Sequence, residues 1–309
     1  MNIDPTLTIE MQSQKKSGIA LRPSVIPPNE IVKLVKVIDQ SVISHIFIPD
    51  LPGGFDSLEV SSACLGVSKG LRIGSGVFRL LEYDILQLGR RVETLQSVSD
   101  NRFILGIGTG DPGQNPARKI SDLLQRVSEL RNNFSEKNVA FPETFVATLR
   151  AGIAKRVAGK VDGILLNFCP PDHAKKVVES VRRSFAGKIE TACYLKVFFS
   201  ESVLTAKKLA IEEFVKYDTL GHYHKMFELS GLSDEIRTAA RSLQDKEMYY
   251  SDKLARTSPV NPNKVELQNY IKKFREAGIT LPCVYPYFAP YEGFEHKVNT
   301  IQKIISAVE

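Results

Sequence analysis

The stretch from residue 85 to residue 113 reads ILQLGRRVETLQSVSDNRFILGIGTGDPG and decides the fold. Its first half carries apolar residues at the spacing of one helix face, namely Ile85, Leu88, Val92 and Leu95. Its second half holds a short apolar run at 103–107 that ends in glycines. A helix that leads into a buried strand closed by a glycine turn is typical of one unit of a parallel α/β protein.

The same alternation continues along the rest of the chain. Short apolar runs predict eight strands, at 18–22, 46–49, 71–77, 103–107, 144–148, 163–167, 191–198 and 281–287. Segments with helical periodicity separate these runs, and the fifth is short because residues 150–160 must hold its whole connection. Eight strands with intervening helices predict one α/β domain over residues 1–309, a (β/α)8 TIM barrel.

Residues 200–280 interrupt this rhythm. Four helix-like segments follow one another between the seventh and eighth strands, at 201–216, 219–229, 232–241 and 264–277. The active site of a barrel lies at the carboxyl ends of its strands. We therefore expect this helical insertion to cap the pocket or to form a subunit contact.

The composition excludes several classes of function. The 309 residues carry a formal charge of +6, but the basic residues are spread along the chain, so we expect no nucleic acid partner. No apolar run approaches the roughly 20 residues that span a bilayer, so we expect no membrane association and a cytoplasmic protein. Four single cysteines suggest reduced, buried thiols. His222 and His224 have the H-x-H spacing of a metal pair in a strand, but their segment has a helical pattern, so we predict no metal site.

The glycine-rich turn is the strongest local signal of chemistry. Gly108 to Gly113 formally matches the G-x-G-x-x-G pattern of a Rossmann dinucleotide site. That site requires a helix opening within the glycines and an acidic residue after the next strand. Pro112 interrupts such a helix, and the next strand starts only near Thr144. A tight turn that needs positive φ at glycine is the other interpretation of this stretch.

Two ordered blocks of the sequence resemble the bacterial-luciferase-like family. The first runs from Leu88 to Asp111 and is similar to a helix ending TL-x-x-LS-x-GR that leads into a strand LG-x-G-x-G. The second joins 145–152 to 161–168 and resembles the later signature DGVLLN. The resemblance is closest to members that use coenzyme F-420, an 8-hydroxy-5-deazaflavin, such as methylenetetrahydromethanopterin reductase. It implies a TIM-barrel oxidoreductase that binds this cofactor or, alternatively, FMN.

The resemblance also implies cofactor-binding residues on one side of the pocket. Members of the deazaflavin branch place a non-prolyl cis peptide at the end of the third strand, which corresponds here to Gly76 and Val77. An ordinary glycine bend is the alternative. The backbone of Gly108, Thr109 and Gly110 is expected to contribute to a cradle for the ring system and its phosphorylated tail.

A second group of residues is expected around the phosphate. Arg150, Ala151 and Gly152 begin the short fifth helix, where backbone N–H groups and a fixed positive charge favour an anion. A solvated arginine beside a tight turn is the alternative. Asn167 ends the sixth strand and is expected to bind the cofactor side chain, although it could also start the turn before Pro170.

Two carboxyl groups are the candidate catalytic residues. Asp111 matches an acidic residue that several deazaflavin enzymes keep after the fourth strand, and it is the preferred proton donor or acceptor. Asp50 is the second candidate, with a strand-end cap as its alternative role. Related enzymes often have Asp-His where this chain has Asp50-Leu51, so the usual histidine is missing.

The sequence therefore predicts hydride transfer between a deazaflavin and a small-molecule organic substrate. An FMN-dependent monooxygenase fed by a separate flavin reductase is one alternative, and a non-catalytic barrel subunit is another. Since relatives often pair through barrel helices, the resemblance also implies a homo-oligomer.

Overall fold

The computed structural model describes residues 16–51, 53–110, 115–135 and 139–309. Its strands are β1 (Gly18–Ala20), β2 (His45–Ile48), β3 (Arg72–Ser75), β4 (Phe78–Arg79), β5 (Phe103–Gly108), β6 (Glu143–Ala147), β7 (Gly163–Asn167), β8 (Glu190–Phe199) and β9 (Leu281–Phe288). All strand pairs are parallel, and the β3–β5 pairing closes the sheet. The two-residue β4 extends the path of β3 along β5. The predicted (β/α)8 barrel is confirmed, with each of the eight expected strands within a few residues of its predicted bounds.

Helices surround this barrel. They are α1 (Pro28–Ile38), α2 (Ser57–Val67), α3 (Ile85–Val98), α4 (Pro116–Ser135), α5 (Ala151–Val157), α6 (Pro171–Ser184), α11 (Lys264–Glu276) and α12 (Phe294–Val308). Each long helix buries one apolar stripe against the sheet, as α1 does with Ile31, Leu34, Val35 and Ile38. The predicted short fifth helix is α5.

Local sequence signals set several helix starts. Asp84 caps α3, because its carboxylate accepts a hydrogen bond from the Gln87 N–H at 2.8 Å. Asn263 and Glu266 form a reciprocal capping box at the start of α11. Such caps satisfy N–H groups that have no partner within the helix, so they fix where each helix begins.

A close approach of β3 and β5 closes the barrel. Ser75 donates a hydrogen bond to the Gly106 carbonyl at 2.9 Å and accepts one from the Gly106 N–H at 3.1 Å. A Cβ atom on Gly106 would overlap the Ser75 carbonyl oxygen. Glycine is therefore required there by the packing of the two strands.

The insertion follows β8 and contains four helices, α7 (Val203–Asp218), α8 (Gly221–Leu229), α9 (Ser233–Arg241) and α10 (Asp252–Thr257). The sequence pattern predicted the first three but not α10, whose single short turn carries too little periodicity. The fourth predicted segment is α11, which packs against α6, α12 and β9 in the outer ring. The extra helices therefore end before α11.

Two further expectations concern burial and membranes. All four cysteines are buried free thiols, as predicted. Within the described part of the chain, no helix has both the length and the apolar character needed to cross a membrane.

Candidate active site

A cavity of about 340 Å³ opens at the carboxyl ends of the barrel strands. Residues at the ends of β2, β3, β5, β6 and β7 line it, together with residues of β8 and β9 and the junction between α7 and α8 of the insertion. Small-molecule sites commonly occupy about 300–1,000 Å³, and barrel active sites lie at this end of the sheet. The cavity therefore has the position and size of an active site.

Two walls of different chemistry bound the cavity. We call the first the glycine wall, formed by Gly76, Val77, Gly108, Thr109 and Gly110. We call the second the tyrosine wall, formed by Tyr194, Tyr217, Tyr223 and Tyr285. The glycine wall presents mainly backbone, whereas the tyrosine wall presents aromatic side chains from β8, β9 and the insertion.

The structure brings most of the predicted site residues together. Eight of them line the cavity: Asp50, Gly76, Val77, Gly108, Thr109, Gly110, Arg150 and Asn167. Ala151 and Gly152 follow Arg150 as the first residues of α5 but do not line the cavity. Asp111 lies outside the described residues. Residues 108–110 and Arg150 thus line one cavity, while the roles of these residues remain predictions.

The peptide bond between Gly76 and Val77 is cis, as expected from the resemblance. The Tyr194 hydroxyl donates a hydrogen bond to the Gly76 carbonyl at 3.3 Å. A Cβ atom on Gly76 would overlap that hydroxyl. The glycine wall and the tyrosine wall therefore contact each other at this position, and only glycine fits between them.

Asn167 is held in one orientation by the tyrosine wall. Its Nδ2 group donates to the Tyr223 hydroxyl at 2.7 Å and lies 3.4 Å from the Tyr217 hydroxyl. Its Oδ1 atom is buried and has no hydrogen-bond partner. Buried acceptors are rarely left unpaired in folded proteins. Because Asn167 lines the cavity, a ligand N–H or O–H group would satisfy this acceptor.

Arg150 lines the cavity and directly precedes α5. Thr148 Oγ1 accepts a hydrogen bond from the Arg150 N–H at 3.1 Å and fixes the turn into the helix. A Cβ atom on Gly152 would meet nothing within 4 Å, so the space beside this glycine is open. The guanidinium of Arg150 is exposed and free to approach an anionic group.

A sequence model described as luciferase-like monooxygenase matches residues 7–132 of the chain. The resemblance to the luciferase-like family is confirmed. No match is found among curated protein sequences.

Solved structures share this barrel fold at low sequence identity. The coenzyme F420-dependent tetrahydromethanopterin reductase from Methanopyrus kandleri has a TM-score of 0.69 and 14% identity, covering 93% of this chain and 97% of its own. An F420-dependent secondary alcohol dehydrogenase, solved with an F420-acetone adduct, has a TM-score of 0.69 and 12% identity, with coverages of 96% and 99%. The oxygenating constituent of 3,6-diketocamphane monooxygenase from Pseudomonas putida, solved with FMN, has a TM-score of 0.63 and 13% identity, with coverages of 94% and 96%.

Among the described residues that line the cavity, Asp50 is the one with a carboxylate side chain. Burial raises the pKa of Asp50, while hydrogen bonds from Ser57 at 3.1 Å and Tyr83 at 3.4 Å and the charge of Arg79 oppose that rise. A carboxyl group whose pKa is raised retains its proton more readily, which suits a proton donor.

Sequence reasoning missed most of the tyrosine wall. From the sequence, Tyr285 lies near the end of the last strand, where a cofactor pocket could use it, although packing is the other interpretation of that position. Tyr194 lies inside a continuous apolar run, and Tyr217 and Tyr223 lie on helices of the insertion. The weak signal available was the clustering of aromatic residues on either side of Leu220 in a segment expected to cap the pocket.

The two histidines of the insertion separate, as the helical pattern of their segment predicts. Both lie on α8, where His222 lines the cavity and His224 pairs with Asp218 at 3.0 Å. A different group, formed by Glu201, Glu292 and His296, places its ligand atoms within 4.8 Å of one another outside the cavity lining. Hydrogen bonds that Glu292 accepts from Ser200 Oγ and the Glu201 N–H account for its burial.

Proposed function

We propose that this chain is an oxidoreductase that binds a flavin-type cofactor in the cavity and transfers hydride between that cofactor and an organic substrate. The observation that carries the proposal is the cavity between the glycine wall and the tyrosine wall, at the carboxyl end of a luciferase-like barrel. A deazaflavin of the coenzyme F-420 type is the preferred cofactor, because structurally similar proteins are described as F420-dependent.

The residues around the cavity fit such a cofactor. The glycine wall offers a surface of backbone on which a flat ring can rest, since glycine lacks a side chain that would intervene. The unpaired Asn167 Oδ1 can accept a hydrogen bond from a hydroxyl of the cofactor side chain. Arg150 can pair with a phosphate through a charge-assisted hydrogen bond. When bound, the cofactor supplies the hydride chemistry, and the protein supplies orientation and charge.

The proton that accompanies reduction requires a residue of the protein. Asp50 lines the cavity and has a raised pKa, so it can hold a proton beside the substrate. The sequence resemblance favours Asp111 for this role. Replacing each aspartate with asparagine distinguishes the two candidates, because only the variant that lacks the proton donor should lose the pH dependence of the reaction.

An FMN-dependent monooxygenase is the second candidate function. The description of the matching sequence model, luciferase-like monooxygenase, favours it, as does the structural neighbour solved with FMN. This function would require a separate reductase to supply reduced FMN, whereas a deazaflavin enzyme would not.

A titration of the purified protein with coenzyme F-420 and with FMN tests the proposal. We expect saturable binding of the deazaflavin, seen as a shift of its absorbance, and little oxygen consumption after reduction. Tight binding of FMN with rapid oxygen consumption would favour the monooxygenase. Failure to bind either cofactor would contradict both functions and favour a non-catalytic barrel.

We propose a cytoplasmic homo-oligomer with a small-molecule substrate and no nucleic acid or membrane partner. Light scattering of the purified protein measures the oligomeric state, and fractionation of cells measures the location.

A further inference from the structure

A buried charged cluster lies behind the tyrosine wall. Lys196 on β8 is fully buried and donates hydrogen bonds to Glu213 Oε1 at 2.5 Å and to the Tyr287 hydroxyl at 3.1 Å. Arg22 donates to the same hydroxyl at 2.6 Å and lies 3.5 Å from Glu213 Oε1. The Tyr287 hydroxyl also donates to Glu213 Oε1. We call these four residues the buried cluster.

The buried cluster carries more positive than negative charge. Two basic side chains share one carboxylate, so the formal charges of Arg22, Lys196 and Glu213 sum to +1. All three side chains are about nine-tenths buried or more. Burying charge is unfavourable, and even a matched buried ion pair often contributes little to stability. A cluster with excess positive charge is therefore poorly explained by stability alone.

The excess charge lies one side chain away from the cavity. The Lys196 Nζ atom lies 3.7 Å from the centre of the Tyr217 ring and 5.5 Å from the centre of the Tyr285 ring. Both rings belong to the tyrosine wall and line the cavity. Because protein and ligand displace water between them, a charge at this distance acts on a ligand far more strongly than it would through solvent.

The charges on the cavity surface do not cancel this effect. Asp50, Arg79 and Arg150 line the cavity, and Arg79 pairs with Glu82 at 2.6 Å. Asp50 and Arg150 are opposite in sign when Asp50 is ionised, and burial raises the pKa of Asp50 and so favours its neutral form. The charged side chains described on the cavity surface therefore supply no net negative charge that would offset the buried cluster.

We propose that the buried cluster, through Lys196, favours an anionic ring system in the cavity and positions the tyrosine wall against it. This inference rests on the proposed function, since it assumes a flavin-type ring as the ligand. Either candidate cofactor offers an anion, at the 8-hydroxyl of oxidised F-420 or at N1 of reduced FMN. Lys196 acts as a positioning residue, because it reaches the ligand through Tyr217 and Tyr285.

Two substitutions that change the charge of the buried cluster in opposite directions test the proposal. Lys196→Met removes the excess positive charge while keeping the length of the side chain, and Glu213→Gln increases that excess. The readout is the absorbance of the bound ring as pH is varied, with whichever cofactor the titration selects. We expect the ring pKa to rise by about one unit in Lys196→Met, a tenfold shift in ionisation, and to fall in Glu213→Gln. Lys196→Arg should keep the wild-type value.

A matched control distinguishes this effect from loss of a buried ion pair in general. Lys297 is also buried and pairs with Glu30 at 2.7 Å, but neither residue lines the cavity. Lys297→Met should lower the melting temperature without moving the ring pKa.

The failures of the two proposals differ. If the wild-type protein binds neither cofactor, the proposed function is wrong and this inference falls with it. If it binds one, but Lys196→Met and Glu213→Gln move the ring pKa in the same direction or leave it unchanged, the cluster has only a structural role. If Lys196→Met does not fold, the direction of the shift in Glu213→Gln still decides, with Lys196→Arg as the variant that keeps the charge.

Discussion

The glycine wall and the tyrosine wall face the same cavity but are built in different ways. The glycine wall comes from two short segments, at 76–77 and 108–110, that end neighbouring strands, and it presents backbone. The tyrosine wall gathers side chains from β8, β9, α7 and α8. The comparison shows that a surface made of backbone can be encoded by a short motif, whereas a surface made of side chains depends on how distant elements pack.

The walls also differ in what supports them. Ser75 and Gly106 hold the strands behind the glycine wall together through reciprocal hydrogen bonds. The tyrosine wall is supported by edge-on ring contacts and by the buried cluster. For example, the ring centres of Tyr217 and Tyr223 are 4.5 Å apart, and Lys196 of the cluster lies over the Tyr217 ring. We therefore expect changes in the glycine wall to block the cavity sterically, and changes in the tyrosine wall to alter ligand orientation and charge.

The largest effect is expected where the walls meet. Gly76→Ala places a methyl group on the Tyr194 hydroxyl, so one wall must move into the cavity. We expect cofactor binding to weaken at least a hundredfold, about 2.7 kcal/mol, in a titration of the folded variant.

Gly66→Ala is the control for this substitution. Gly66 is an exposed residue of α2, and a Cβ atom there would meet nothing within 4 Å. The Gly66→Ala variant should bind the cofactor as the wild type does. Binding by Gly76→Ala within threefold of wild type would show that the walls can separate at little cost.

A second prediction concerns the opposite end of the barrel and separates cavity defects from unfolding. Burial and the charges of Lys16 and Arg72 lower the pKa of His45 to about 3. Below about pH 6.5 the unfolded chain gains a proton that the folded chain does not accept until about pH 3. The free energy of unfolding should therefore keep its full value at neutral pH and fall on acidification, by up to about 1.4 kcal/mol per pH unit.

His45→Gln should remove this dependence. Denaturant unfolding at pH 7 and pH 5 should show the wild type losing about 2 kcal/mol more than the variant. His224→Gln, at an exposed histidine, should keep the wild-type slope. Equal slopes for all three proteins would mean that another group controls acid stability.

The third prediction tests the tyrosine wall as an orienting surface. Tyr223→Phe removes the hydroxyl that accepts the 2.7 Å hydrogen bond from Asn167 Nδ2, so only the 3.4 Å contact with the Tyr217 hydroxyl still orients the amide. We expect three- to tenfold weaker cofactor binding, about 0.7–1.4 kcal/mol, which is the range of one hydrogen bond. Tyr249→Phe, which loses a hydrogen bond to Glu235 at the surface, should not change binding. If Tyr223→Phe and Tyr249→Phe bind the cofactor equally well, the tyrosine wall does not orient the ligand through Asn167.

The smallest expected effect concerns Asp50, beside the glycine wall. Burial raises the pKa of Asp50, so its ionised form is disfavoured in the folded protein, and stability is lost as pH rises through that pKa. Asp50→Asn should therefore raise the melting temperature slightly at neutral pH, and the difference should vanish below about pH 4. Because Asp50 is only partly buried, we expect about one degree.

The control for Asp50→Asn is Asp122→Asn, at an exposed carboxylate of α4. It should leave the melting temperature unchanged at every pH. A lower melting temperature for Asp50→Asn would mean that the hydrogen bonds from Ser57 and Tyr83 outweigh the cost of burial.

Much of the fold was predictable because periodicity is a local property. The eight strands, the short α5 and the helical character of the insertion all follow from apolar spacing and glycine turns. Two features were not predictable in the same way. The helix α10 is too short to show a period, and α11 belongs to the outer ring only because it packs on α6 and α12.

The candidate site also contains some residues that local motifs identify and others that only tertiary packing brings together. Motifs at 76–77, 108–110 and 150 identified the residues that line one side of the cavity, whose shape depends on backbone. Lys196 is visible in the sequence as a basic residue within the apolar run at 191–198, yet nothing local shows that it is buried with Glu213, Tyr287 and Arg22.

The sequence by itself determined the barrel, because strand periodicity and glycine turns act over a few neighbouring residues, and its resemblance to a known family identified the residues of the glycine wall. Only the tertiary structure decided the tyrosine wall and the charge behind it. Those features arise where β8, β9 and the insertion pack together, and the positions of side chains brought close from distant parts of a chain depend on every contact between them.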